Sequence, residues 1–265
     1  MGKKFRMVLA VILSIVLVYS AARIVMTEIE YKKAEDIYEK SQNEYFHFLD
    51  KTAPLWQEAD NLSSEEYFPD VYVDFKALRT ANPEIAGWIW IPDSSVNFPL
   101  LRAEDNRKYL SLSYDMQHTD SGSIFIDYRN SPDFSDDNTV IYGHNMNNGS
   151  MFGSLKKYSD AEYMDEHRNL YIFTGERIFK YRVFSAYKTE SGSRSYTLSF
   201  PDNTCFFDYI DYAVTHSGYR MDFAPESKTP LLTLSTCTSG GQSKRFVVHA
   251  ELISVKEYDK ALPAS

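Results

Sequence analysis

Apolar residues run almost unbroken from Met7 to Val18 and resume at Ala21, Ala22, Ile24, Val25 and Met26, with Arg23 as an interruption. From Met7 to Met26 the stretch is twenty residues, enough to cross a bilayer as a helix. Lys3, Lys4 and Arg6 precede it and favour an inside N-terminus with the remaining chain outside, although Lys32 and Lys33 weaken the asymmetry. The competing reading is a cleaved signal peptide, with Ser20-Ala21-Ala22 as the small-residue cleavage site. Both readings export everything that follows.

Beyond Thr27 the pattern changes twice. As far as about Leu62 the chain is rich in Glu, Lys, Ala and Tyr, and Ile29, Ala34, Ile37, Tyr38, Tyr45 and Leu49 recur at near-helical spacing. One or two helices are expected there, broken near Thr52-Ala53-Pro54, forming either a solvated stalk or a cap on the domain. Asn61 to Asp70 reads as a linker, and a short helix is expected over Asp74 to Thr80.

From Trp88 onward the period becomes that of strands. Short apolar or alternating runs occupy 87–91, 96–101, 123–127, 138–142, 169–173, 178–186, 230–235 and 245–254. Pro92-Asp93-Ser94, Asp120-Ser121-Gly122, Gly175-Glu176 and Ser239-Gly240-Gly241 separate them as turns. Many short strands at this spacing predict a closed barrel or a sandwich. The long interval from Tyr187 to Thr229 holds a further predicted helix, Thr204 to His216, N-capped by Asp202 or Asn203. The fold class is thus mainly β with added helices. The organisation is a cytoplasmic tip and membrane anchor (1–26), a helical segment and linker (27–73), a β domain (74–258) and a tail (259–265).

Composition narrows the chemistry. The 265 residues carry a formal charge of −9, and no basic stripe gathers on one segment, so nucleic-acid binding is not indicated. Two cysteines cannot build a disulfide scaffold, which leaves one Cys205–Cys237 bridge as the structural alternative to a reactive thiol. Cys237 closes the apolar run Leu231-Leu232-Thr233-Leu234-Ser235-Thr236, and Arg245 opens the next one. A thiolate is a strong nucleophile, and a nearby cation lowers the thiol pKa and can stabilise an oxyanion. Cys205, in the predicted helix before Phe206-Phe207, is the rival thiol and reads as buried and inert.

Of the six histidines, His144 stands apart. It follows the strand Thr139-Val140-Ile141-Tyr142-Gly143 and opens an Asn/Gly-rich loop, where catalytic groups concentrate. His249 lies inside a strand and reads as structural. His47 falls in the predicted N-terminal helices, His118 in a polar loop, and His167 and His216 near helix ends, where exposure is expected.

Thr233-Leu234-Ser235-Thr236-Cys237 with Arg245 downstream and Tyr142-Gly143-His144 upstream resembles the signature of sortases, the surface-protein transpeptidases of Gram-positive bacteria. The segments 82–89, 96–101, 106–110, 122–127 and 138–146 resemble class B. The resemblance spans about Asp74 to Val255. It implies an eight-stranded β-barrel, a membrane anchor and thiol-based transpeptidation, with Cys237 as nucleophile, His144 as general acid/base and Arg245 as oxyanion or substrate stabiliser. By the same analogy Asn97, Leu101, Tyr142 and Ser235 line the groove for a sorting peptide. The implied partners are secreted proteins bearing a C-terminal sorting motif, an amine such as that of a peptidoglycan precursor, and the bilayer. No cofactor and no metal is implied. Thr238 stands where some class B members carry an acid after the cysteine. Pilin polymerisation, and hydrolysis by a cysteine peptidase or amidase, are the alternative activities.

Overall fold

The computed structural model describes residues 2–49, 67–219, 223–237 and 243–258. It opens with one uninterrupted 43-residue helix, α1 (Lys3–Tyr45). The most apolar 18-residue window of α1 has a mean hydropathy of 2.4 and buries nothing against the protein, so this helix is long and apolar enough to cross a membrane. Its upper part does pack: Ala34, Ile37, Tyr38 and Ser41 are buried.

The helix ends earlier than its pattern predicts. Phe46-His47-Phe48 forms β1, which pairs antiparallel with β2 (Val71–Val73) as a two-stranded sheet. His47 therefore lies on a strand, stacked over Tyr72. The cause is aromatic burial. Phe46 stacks on Trp88 and meets Phe173 edge-on, and such contacts outweigh a weak helical preference. The expected break at Thr52-Ala53-Pro54 and the tail 259–265 lie outside the described residues, as does most of the expected linker.

The short helix α2 (Phe75–Ala81) starts at Asp74, whose carboxylate accepts from the Ala77 amide at 2.9 Å. The strands β3 (Ile85–Trp90), β4 (Asn97–Leu101), β5 (Ile124–Ile126), β6 (Asn138–Gly143), β7 (Asn169–Phe173), β8 (Arg177–Glu190), β9 (Leu231–Cys237) and β10 (Lys244–Glu257) follow. They close an eight-stranded barrel in the order β10-β8-β7-β3-β4-β5-β6-β9. All eight predicted strands are present. The pairs β4–β5 and β6–β9 are parallel, and the others are antiparallel. Closure leaves no free sheet edge to satisfy. Trp88, Leu100, Ile124, Phe173, Leu232 and Leu234 lie fully buried in the main core.

Helix α3 (Ala161–Glu166) and three 3₁₀ turns, at Lys108–Leu110, Gly153–Ser159 and Arg194–Tyr196, decorate the connections; none is evident in the hydrophobic pattern. The predicted helix before the cysteine strand is α4 (Asn203–His216). Its cap is Asp202, which accepts from the Cys205 amide at 2.8 Å, a contact worth about 1 kcal/mol. Phe206, Tyr209, Ile210 and Ala213 form its buried face, in a second core with Phe184, Leu231 and Val247.

Candidate active site

Backbone register brings the three candidate catalytic residues together. Strands β6 and β9 run parallel as neighbours, with Gly143 opposite Thr236. The next residue on each is His144 and Cys237, so the two leave adjacent strands at one level, about 4.8 Å apart in the sheet direction. Across the other edge of β9, Cys237 pairs directly with Arg245 on β10. Gly143 is required beside His144, because a Cβ there would fall 2.4 Å from Ile124 Cδ1 and 2.7 Å from Phe152 Cγ.

A cleft of about 460 Å³ opens over this end of the barrel, with His144, Arg245, Tyr142, Ser235 and Thr236 among its walls. His144 is half-buried, and its Nε2 lies 2.8 Å from the Leu110 carbonyl oxygen. A carbonyl accepts and does not donate, so Nε2 carries the proton and Nδ1 is left to exchange one. Arg245 is half-buried and donates from one Nη to the Lys244 carbonyl at 3.0 Å, which helps to orient its guanidinium.

Part of the cleft wall is built on a buried carboxylate. Asp127 is fully buried and accepts from Tyr142 Oη at 2.9 Å, from Arg129 Nε and Nη2 at 2.9 and 2.8 Å, and from Asn106 Nδ2 at 3.2 Å. Burial pushes its carboxyl upward, but the hydrogen bonds from Arg129 and Tyr142 outweigh it and hold the group below the usual carboxylate range. Burial, and then the Asp127 charge, push the Tyr142 phenol up, so it stays a neutral donor. The Tyr142 ring stacks with Tyr196, whose hydroxyl pairs with Ser235 Oγ at 2.8 Å.

Tyr142 and Ser235 therefore lie in the cleft wall, and Asn97 and Leu101 do not. Leu101 is fully buried in the barrel, in register with Ile85 and Phe125. Asn97 spends its amide oxygen on the Trp88 indole at 2.5 Å and its carbonyl on Gln42 of α1. Their places on the cleft are taken by Asn106 and Leu110, which have the same spacing of four, together with Phe125, Arg129 and Tyr196. Asn106 and Leu110 fall in one of the segments that carry the family resemblance. Arg129 had a weaker signal, an arginine two residues from an acid at a strand end.

The other polar candidates sort by their partners. His249 is fully buried among Tyr187, Tyr209 and Thr233, and burial holds its pKa down to about 3. His216 and His118 are exposed. His167 is not: it is buried, stacked on Tyr163, with its ring nitrogens against the Tyr163 and Asp93 carbonyls, because α3 folds the helix end onto the barrel. Cys205 is a free thiol at the half-exposed start of α4, so the structural disulfide does not form. Its hydrogen bond to Asp202 pushes the thiol pKa up, the wrong direction for a nucleophile. Among the described residues, no three His, Cys, Asp or Glu side chains converge as metal ligands.

Comparison with known proteins decides the family. The sortase domain model matches residues 89–253, more than half of the chain. The chain belongs to the sortase family. Its relatives place it in class B. Sortase B of Listeria monocytogenes is 33% identical over 187 residues, covering 70% of this chain and 76% of that protein. Sortase B from B. anthracis, solved in complex with AAEK1, superposes with a TM-score of 0.69 at 34% identity, covering 84% of this chain and 98% of the other. The Staphylococcus aureus sortase B–substrate complex gives 0.68 at 28% identity, with the same two coverages. This sortase is therefore a cysteine transpeptidase, built on the eight-stranded barrel that class B shares.

Proposed function

We propose that this sortase is anchored by α1, cleaves a C-terminal sorting motif of secreted proteins, and joins the acyl group to an amine of a cell-wall precursor. The observation that carries the reading is the register that sets Cys237 opposite Arg245 on β10 and, one residue beyond the Gly143–Thr236 pair, level with His144 at the end of β6. In this mechanism the Cys237 thiolate attacks the scissile carbonyl and the C–N bond breaks. Arg245 and a backbone N–H hold the oxyanion, a contribution of about 3–4 kcal/mol in comparable sites. His144, as imidazolium, gives its Nδ1 proton to the leaving amine. The thioester is then attacked by the acceptor amine, whose proton returns to Nδ1 as the new amide forms and the thiolate leaves.

The cleft wall suits an extended peptide. Asn106, Tyr142, Tyr196 and Ser235 supply polar contacts, and Leu110 and Phe125 supply apolar ones. The exposed apolar foot of α1 supports anchoring, and Lys3, Lys4 and Arg6 before it favour a catalytic domain outside. Tethering raises the effective concentration of membrane-borne partners without new contacts.

The test is the full chain incubated with a small library of pentapeptides, with and without triglycine, and followed by mass spectrometry. An amine-joined product is expected, and it names the motif. Cleavage indifferent to the amine would leave a hydrolase instead. Cys237→Ala should trap no acyl-enzyme and form no product; any turnover by that variant removes the nucleophile assignment.

A further inference from the structure

The orientation of the barrel against its own anchor can be read from register. The catalytic end is where β6 and β9 finish. Strand β5 begins at that same end, since Phe125 pairs antiparallel with Tyr142, and β4 runs parallel to β5, so Asn97 lies there too. The packed part of α1 holds this end. Gln42 Nε2 donates to the Asn97 carbonyl at 2.8 Å, Tyr38 Oη donates to the Gly122 carbonyl, and Lys33 Nζ donates to the His118 carbonyl at 2.7 Å. Going down the helix therefore leads past the catalytic end and into the apolar segment. At the bottom, Ile24, Val25 and Glu28 share a crevice with Asn147 and Asn148, both exposed. Ile24 and Val25 belong to the apolar stretch that ends at Met26, so the loop after His144 comes down to the level where that stretch ends. Between Lys3 and Tyr45 there is neither Gly nor Pro, and the helix is unbroken, so no hinge separates anchor from domain.

We propose that the Asn147–Gly149 loop rests on the phospholipid headgroups, so that the cleft opens at the bilayer surface and not above it. This rests on the reading of α1 as a membrane anchor. The loop is polar and small, as an interfacial contact needs to be. Lys32 shares the crevice, but so do Glu28 and Glu35, and the seat is set by the helix and not by a basic patch. Anionic lipid is therefore not required. The consequence for function is that the catalytic histidine, three residues before the loop, works within the headgroup layer.

The full chain, with Cys205→Ser and Cys237→Ser, is reconstituted in phosphatidylcholine vesicles with and without phosphatidylglycerol. A fluorophore is placed at Asn148→Cys or at Glu176→Cys, which marks the opposite end of the barrel because Arg177 pairs with Glu257 at the end of β10. Strong quenching by headgroup nitroxide lipids is expected at 148, little at 176, and the same in both lipid mixtures. Equal quenching at the two positions overturns the proposal. Failure of the chain to float with the vesicles overturns anchoring itself, and the seat with it. Four alanines inserted after Glu28 raise the domain by about 6 Å. Quenching at 148 should then be lost, while peptide cleavage in detergent by the same insertion in the otherwise unaltered chain is unchanged. Retained quenching would show that the helix does not set the seat.

Discussion

His144, directly after β6, and His249, within β10, belong to the two strands that flank β9 in the same barrel, and have opposite fates. His144 stands half-exposed at a strand end in the cleft wall, with Nε2 donating to the Leu110 carbonyl and Nδ1 left as the acceptor nitrogen. His249 lies fully buried in mid-strand with both nitrogens engaged. The hydroxyl protons around it fix its tautomer. Thr233 Oγ1 gives its proton to Asn138 Oδ1, and Tyr209 gives its own to the Ser195 carbonyl. Each can therefore only accept from His249 Nδ1, so Nδ1 carries the hydrogen and Nε2 accepts from Tyr187 at 3.0 Å. The two rings are opposite tautomers. One keeps a nitrogen free for proton transfer; the other has no partner arranged for a second proton. Residue type decides neither role: solvent access and the direction of the neighbouring hydrogen bonds do.

The comparison breaks most visibly by exchanging the same substitution between the two sites. His144→Gln should lower kcat/KM for transpeptidation by roughly 10²–10⁴-fold with little change in melting temperature. His249→Gln should do the reverse, leaving turnover within a few-fold and lowering stability. If His249→Gln silenced the enzyme while remaining folded by circular dichroism, the division of labour would be wrong. Arg245→Ala tests the cleft side next, with an expected loss of about 10²–10³-fold in kcat. Arg245→Lys should recover part of it, since the charge returns without the guanidinium fork.

A third effect is read from pH and not from activity. An unfolded histidine titrates near 6.5, whereas His249 in the folded protein titrates at about 3 because burial disfavours its charged form. Between those values the unfolded chain binds a proton that the native state excludes. Its contribution to stability is therefore complete above the unfolded pKa and is lost as pH falls toward about 3, at up to about 1.4 kcal/mol per pH unit. Urea titrations from pH 7 to pH 4 should show that slope in the wild type and a shallower one in His249→Gln.

The barrel was legible because its strands announce themselves by alternation and by the turns between them; Cys237, His144 and Arg245 stood out as candidates because each sits at a strand end beside a loop, and it is the family resemblance that assigns them roles. Three things were not. The strand Phe46–Phe48 looks helical in isolation and becomes a strand through aromatic contacts with Trp88 and Phe173, which are distant in sequence. The pair on the cleft wall is Asn106 and Leu110, and the neighbouring Asn97 and Leu101 share its residue types and spacing. What separates the pairs is inside versus outside, since Leu101 faces the core of a closed barrel. His167 reads as a surface residue until α3 folds it onto the barrel. In each case the missing information is long-range packing, which local pattern does not encode.

The finest test of the comparison is Thr233→Val, which keeps the shape of the side chain and removes one hydroxyl beside His249. The Asn138 Oδ1 acceptor then loses the Thr233 proton in a fully buried setting, and one of the two acceptors of the His249 Nδ1 proton disappears. A loss of roughly 1–3 kcal/mol in urea unfolding at pH 7 is expected from the unsatisfied group. The pH slope should survive, because burial, not Thr233, holds the imidazole neutral, and Tyr209 still accepts from Nδ1. A variant that lost the slope while keeping its stability would assign the neutral histidine to its hydroxyl neighbours. The contrast with His144 would then rest on hydrogen-bond partners alone and not on access to water.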